Sequence, residues 1–137
     1  MTEISPDRVV EGRFAGQARL KAGRFSGVSL APTLADWRGY QQLQLQAHNP
    51  SSRVQVLTVR INDRAHELSA HLYSDRYNQS FELTPGWNHI RVPLAVVQSA
   101  PAGRAMAMDG IYRLGLFFAQ LDAPLLLTLD DIRLTSD

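Results

Sequence analysis

Apolar residues recur at every second position along most of this chain. Leu43, Leu45 and Ala47 alternate with Gln42, Gln44 and Gln46, and Leu57, Val59 and Ile61 alternate with Thr58, Arg60 and Asn62. Phe81 and Leu83 alternate with Ser80 and Glu82, and Ile90, Val92 and Leu94 with His89 and Arg91. Successive side chains of a strand point to opposite faces, so each run predicts a half-buried strand. His48-Asn49-Pro50-Ser51-Ser52, Thr84-Pro85-Gly86 and Ala100-Pro101-Ala102-Gly103 separate the runs as turns. Short strands at this spacing predict an all-β sandwich or barrel, not a parallel α/β sheet.

Two runs are richer in apolar residues, Leu114–Ala119 and Leu125–Leu134, and are expected near the middle of the sheets. The second changes phase. Leu125, Leu127 and Leu129 share one parity, whereas Ile132 and Leu134 share the other. A bulge at Asp130-Asp131 would return both sets to the core. Ala18 with Leu20 and Val28 with Leu30 mark two N-terminal strands, joined by Lys21-Ala22-Gly23-Arg24. Helix is confined to a turn or two, at Ala95–Ser99 and at Met106–Ile111. The expected organisation is one sandwich domain over residues 1–137, with 1–14 an edge or poorly ordered segment.

A length of 137 residues suits one domain with a true core. The net charge is +1 and no basic run occurs, so the concentrated cationic footprint of a nucleic-acid binder is missing. There is no cysteine, which excludes disulfides and thiolate metal sites. Met1–Glu11 is polar and lacks a secretory apolar region. The apolar runs are too short to span a bilayer, so direct membrane insertion is not expected. If the chain is excised from a larger membrane-anchored or secreted precursor, its place is extracytoplasmic.

Several stretches, taken in order, resemble the jelly-roll carbohydrate-binding modules. Asp36-Trp37-Arg38-Gly39-Tyr40 followed by alternating apolars and His48-Asn49-Pro50 is similar to their “DW-G-Y … NP” segment. Thr84-Pro85-Gly86-Trp87-Asn88 leading to Ile90-Arg91-Val92-Pro93-Leu94 resembles their “PGWN-IRIPL” strand. Arg113–Phe117 and Leu129–Leu134 resemble the two closing strands, so the likeness runs from Asp36 to Leu134. Arg60–Arg64 with Asp75–Phe81 is similar to a narrower bacterial subgroup, sometimes appended to VanZ-like membrane proteins. The resemblance implies a galactose-binding-like jelly roll of two antiparallel sheets, a glycan across a concave sheet, and in many members a structural calcium near the chain ends. Fold alone does not establish a ligand.

Sugar recognition needs flat aromatic faces and planar polar groups. The richest constellation is Arg60, Asn62, Asp63, Arg64, His66, Tyr73, Asp75, Arg76, Tyr77 and Asn78. Arg60 and Asn62 share the non-core parity of one strand and Asn78 that of the next. The loop between them, Asp63–Arg76, is long for a hairpin and unusually polar. The competing reading is a solvated loop tied by internal Arg–Asp pairs. Trp37 and Trp87 sit in turn motifs and are expected to pack at the ends of the sandwich.

His66-Glu67 and His71 depart from the zinc-hydrolase spacing, in which two residues separate the Glu from the second His. A zinc site from Asp63, His66 and His71 is disfavoured. Asp130 and Asp131 are the candidate calcium ligands, since hard cations prefer oxygen donors. No Gly-x-Ser-x-Gly elbow orients a serine. These residues favour a non-catalytic module binding a bacterial or environmental glycan. The alternatives are an interaction domain docking a parent membrane protein or partner domain and, more weakly, a sugar-processing enzyme built on Asp63 and Asp75.

Overall fold

The alternating runs become strands at the expected places. A computed structural model describes residues 2–3, 15–32, 34–69 and 72–136. Most of the 1–14 segment, His71 and the zinc arrangement that needed it lie outside the described residues. The strands are β1 (Thr2–Glu3), β2 (Ala15–Leu20), β3 (Gly23–Leu30), β4 (Gln42–Asn49), β5 (Gln55–Asp63), β6 (Tyr77–Leu83), β7 (Gly86–Pro93), β8 (Ile111–Leu121) and β9 (Leu125–Thr135). They form two sheets, ordered β1-β3-β8-β5-β6 and β2-β9-β4-β7. All pairings are antiparallel except β1 with β3. The fold is the expected jelly-roll sandwich.

Period-two patterning works as the sequence requires. Leu57, Val59 and Ile61 of β5 meet Leu43, Leu45, Ala47, Ile90 and Val92 of the other sheet in one buried cluster. β8 and β9 are internal strands, as their richer apolar content predicted. On β8, Leu114 to Phe118 are all buried, whereas β9 alternates between buried and half-buried positions.

The phase slip in β9 is a bulge. Gln44 pairs with Arg133 and Gln46 with Asp130, so two residues of β9 face Leu45 alone. Asp131 takes a left-handed backbone, φ 54°. Leu127, Leu129 and Ile132 are thereby all buried, and Leu134 is half-buried against the core.

The turns owe their shape to two asparagines. Asn49 Nδ2 donates to the carbonyls of Arg53 and Leu83, each at 2.9 Å, and its Oδ1 accepts from the Ser51 amide at 3.0 Å. Asn88 closes the Pro85-Gly86 turn by accepting from the Thr84 amide at 3.0 Å and donating to its carbonyl at 2.9 Å. Both satisfy turn backbone that the ladder cannot reach. Trp37 plugs one end of the sandwich as expected, buried with its Nε1 donating to the Leu34 carbonyl at 2.8 Å.

Among the described residues, helix is confined to short segments. Leu94–Ser99 forms α2, close to its expected place, while Met106–Ile111 holds only a turn. The unforeseen α1, Arg64–Glu67, and a 3-10 turn, Tyr73–Asp75, lie inside the polar loop.

Candidate functional site

The outer face of the five-stranded sheet carries a depression of about 580 Å³, a size suited to a few sugar rings. Its floor comes from side chains of non-core parity: Thr58 and Arg60 on β5, Phe117 and Ala119 on β8, and Asn78 and Ser80 on β6. Phe25 of β3 forms one wall, with Tyr73 and Arg76 of the loop completing the lining. Phe25 and Phe117 meet edge to face, with ring centroids 6.0 Å apart. Tyr73 is 70% exposed and Phe25 62%, so both rings are open to a ligand.

Arg60 lies in the middle strand of this floor, opposite Asn78 on one side and Gly115 on the other. A side chain at Gly115 would meet the guanidinium, since a Cβ there would stand 3.2 Å from Arg60 Nε. A glycine inside a strand marks such a close approach, the sequence signal that could have found Gly115. Gly27 does the same for Phe117: a Cβ would stand 2.5 Å from Phe117 Cα. Gly27→Ala is therefore expected to cost about 1–3 kcal/mol by overpacking, read by urea unfolding. A variant as stable as the parent would show that β3 and β8 part without penalty.

Arg60 and Arg76 make no ion pair among the described residues. Arg76 lies over the Tyr73 ring, 5.2 Å from its centroid. Asn78 Nδ2 donates to the Tyr73 carbonyl at 3.1 Å and so ties the loop to β6. Nε of Arg60, Nε of Arg76 and Oδ1 of Asn78 are withdrawn from solvent without a hydrogen bond in the protein. Burial lowers the pKa of Arg60, and the like charges of Arg76 and Arg113 lower it further. An arginine stays charged regardless, so the depression holds a cationic field.

Of the ten residues singled out in the sequence, Arg60, Tyr73, Arg76 and Asn78 line this depression. The others do not. Tyr77 is buried in the core, paired with Ile61, and burial pushes its phenol up to about 12. Its parity matches Phe81 and Leu83, so the alternation already placed it inside. Asn62 is buried and donates to the Asp63 carbonyl at 3.1 Å and to Glu67 at 3.3 Å. Arg64 is exposed on α1 outside the depression.

Asp63, His66 and Asp75 instead build an internal clamp around Arg104, which the sequence reading had missed. Arg104 reaches Asp63 with two bonds, 2.8 and 3.0 Å, and Asp75 with two more, 2.7 and 3.1 Å. Asp63 also caps α1 by accepting from the His66 amide at 2.9 Å, and accepts from the Ala107 amide at 2.8 Å. His66 Nδ1 lies 3.2 Å from Asp75. Burial pushes the Asp63 carboxyl up, but Arg104 and the two amides outweigh it and hold it at about 2. The Arg104 bonds lower Asp75 as well. A glycosidase needs one carboxyl kept protonated as an acid, and this pair is locked in the ionised form on one guanidinium. Asp63 and Asp75 are structural.

The opposite sheet face differs. Trp87, expected to pack, is 55% exposed there and meets the His48 ring at a tilt of 59°, with centroids 5.1 Å apart. At the β9 bulge, Asp130 accepts from the Asp131 amide at 2.8 Å, and Asp131 lies 3.5 Å from Arg133 Nε. No group of three or more His, Cys, Asp or Glu able to hold a metal occurs among the described residues. A calcium ion at Asp130 and Asp131 would have to draw the rest of its shell from backbone carbonyls and water.

No family model matches the chain, and no curated protein matches it in sequence. Solved structures match its fold. A family 11 carbohydrate-binding module from Clostridium thermocellum, in complex with a β-1,3-1,4-mixed-linked tetrasaccharide, superposes with a TM-score of 0.62 at 13% identity, covering 91% of this chain and 88% of the module. A family 30 module of a Clostridium thermocellum cellulosomal cellulase gives 0.58 at 16% identity, covering 88% and 75%. The agarase AgWH50C gives 0.66 at 15% identity, where 91% of this chain matches only 23% of the enzyme. No helix among the described residues is long and apolar enough to cross a membrane. The chain has the β-sandwich fold of the carbohydrate-binding modules.

Proposed function

We propose that this chain is a non-catalytic carbohydrate-binding module whose ligand lies across the outer face of the five-stranded sheet. The observation that carries this reading is the depression itself: open aromatic rings beside the guanidiniums of Arg60 and Arg76, which make no ion pair among the described residues. Rings offer flat faces to the C–H side of a pyranose, while guanidinium and amide groups meet its hydroxyls. The jelly-roll fold shared with a carbohydrate-binding module in complex with a β-1,3-1,4-mixed-linked tetrasaccharide supports it. The resemblance to domains appended to VanZ-like membrane proteins supports a further element, that the domain serves a larger membrane-anchored chain.

Titration of the domain against soluble glycans tests the reading. Binding without hydrolysis is expected. Tyr73→Ala and Phe25→Ala each should weaken it about fivefold or more, since losing an aromatic contact costs about 1 kcal/mol beyond buried area. Trp87→Ala, on the opposite sheet, should leave affinity unchanged. Loss of binding in Trp87→Ala alone would move the site to the four-stranded sheet and favour docking there.

A further inference from the structure

The polar groups of the depression are unevenly matched to an uncharged sugar. A neutral pyranose presents hydroxyls, each of which donates as well as accepts, so a site for it needs acceptors as well as donors. Among the described residues, no Asp or Glu lines this depression. Of its hydroxyls, those of Thr58 and Ser80 engage each other, 3.1 Å apart. What remains is the Tyr73 phenol, two guanidinium groups, which only donate, and the amides of Asn78 and Gln79.

The same two guanidiniums lack any carboxylate partner among the described residues; Arg19, Arg24, Arg64 and Arg91 lack one too but stand exposed to water, whereas several other arginines are paired. Arg38 pairs with Asp36 at 2.9 Å, Arg104 with Asp63 at 2.8 Å, and Arg113 with Glu67 at 3.5 Å. A half-buried cation without a hydrogen-bonded counter-ion costs desolvation, which the Tyr73 ring beneath Arg76 and the charge of Glu67 near Arg60 offset only in part. An oxyanion entering the depression would supply that partner, in the planar two-point geometry that guanidinium favours.

Resting on the carbohydrate-binding reading above, we infer that this module is selective for acidic glycans, with Arg60 and Arg76 receiving a carboxylate or sulfate carried by a sugar ring. Tyr73 and Phe25 then take the ring faces, and the exposed Gln79 amide meets a neighbouring hydroxyl.

The test compares polygalacturonate, a sulfated galactan, agarose and mixed-linked β-glucan as ligands of the whole domain by isothermal titration at two salt concentrations. At low salt, at least one acidic polymer should bind tenfold or more tighter than either neutral one, and raising the salt should narrow that gap. The polyuronate and sulfated arms tell which oxyanion is taken. Arg60→Gln and Arg76→Gln keep a polar side chain and remove the charge, so each should abolish the preference while leaving the thermal melt in place. Neutral polymers bound as tightly as acidic ones, with both variants indifferent, would overturn acidic selectivity and leave the carbohydrate-binding reading intact. Failure of all four polymers to bind would overturn both.

Discussion

Replacing Arg104 with alanine should lower the unfolding free energy by about 3–5 kcal/mol, as removal of one partner from a buried ion pair does. Asp63, 0% exposed, would keep its charge without the cation that neutralises it. Two loops would loosen together, because Arg104 joins the end of β5 to the Tyr73–Asp75 turn across 41 and 29 residues of sequence. Urea unfolding of Arg104→Ala measures the cost. A loss below about 1 kcal/mol would mean that the clamp is no stronger than a surface pair.

The same clamp sets an acid limit to stability. The folded pKa of Asp63, about 2, lies below its ordinary value of 3.8. Its contribution is therefore fully present above about pH 4 and is lost as the pH falls toward 2, amounting to about 2–3 kcal/mol. The lowered Asp75 adds in the same direction. In Arg104→Ala, stability should depend less steeply on pH in this window than in the parent.

Arg60→Ala should behave oppositely, losing glycan affinity about tenfold or more at an unchanged melt. One hydrogen bond to a charged group contributes about 1.5–3 kcal/mol, and Arg60 has no protein partner to lose. Removing it also relieves its repulsion with Arg76 and Arg113. Asp75→Ala should lower stability by a comparable 1.5–3 kcal/mol and leave binding in the folded fraction unaltered. Thermal melts and glycan titrations on the two variants separate ligand recognition from loop pinning. Unchanged affinity in Arg60→Ala would remove this face from consideration.

The polar constellation of the loop and its flanking strands thus divides between the two roles that the sequence had left open. Arg60, Tyr73, Arg76 and Asn78 face the depression, while Asp63, His66 and Asp75 hold the loop in place. The division was not legible beforehand, because the residue that separates the roles, Arg104, sits beyond two intervening strands, β6 and β7. Phe25 and Phe117 were missed for a related reason. They read as ordinary apolar strand residues until β3 and β8 pair and turn both rings to the outer face.

What the amino-acid order alone determined is whatever depends on neighbours in the chain. Strand alternation, the turns at Asn49 and Asn88, and the phase slip that becomes the β9 bulge follow from backbone geometry and the parity of apolar residues. Even the inward position of Tyr77 was contained in its parity with Leu83. The tertiary structure decided which outward residues meet a ligand, which meet each other, and that Trp87 stands exposed. Parity assigns a side chain to a face, but only the packing of loops over that face decides whether its charge finds a partner. For Asp63 it did, in Arg104; for Arg60 no ion-pair partner stands among the described residues.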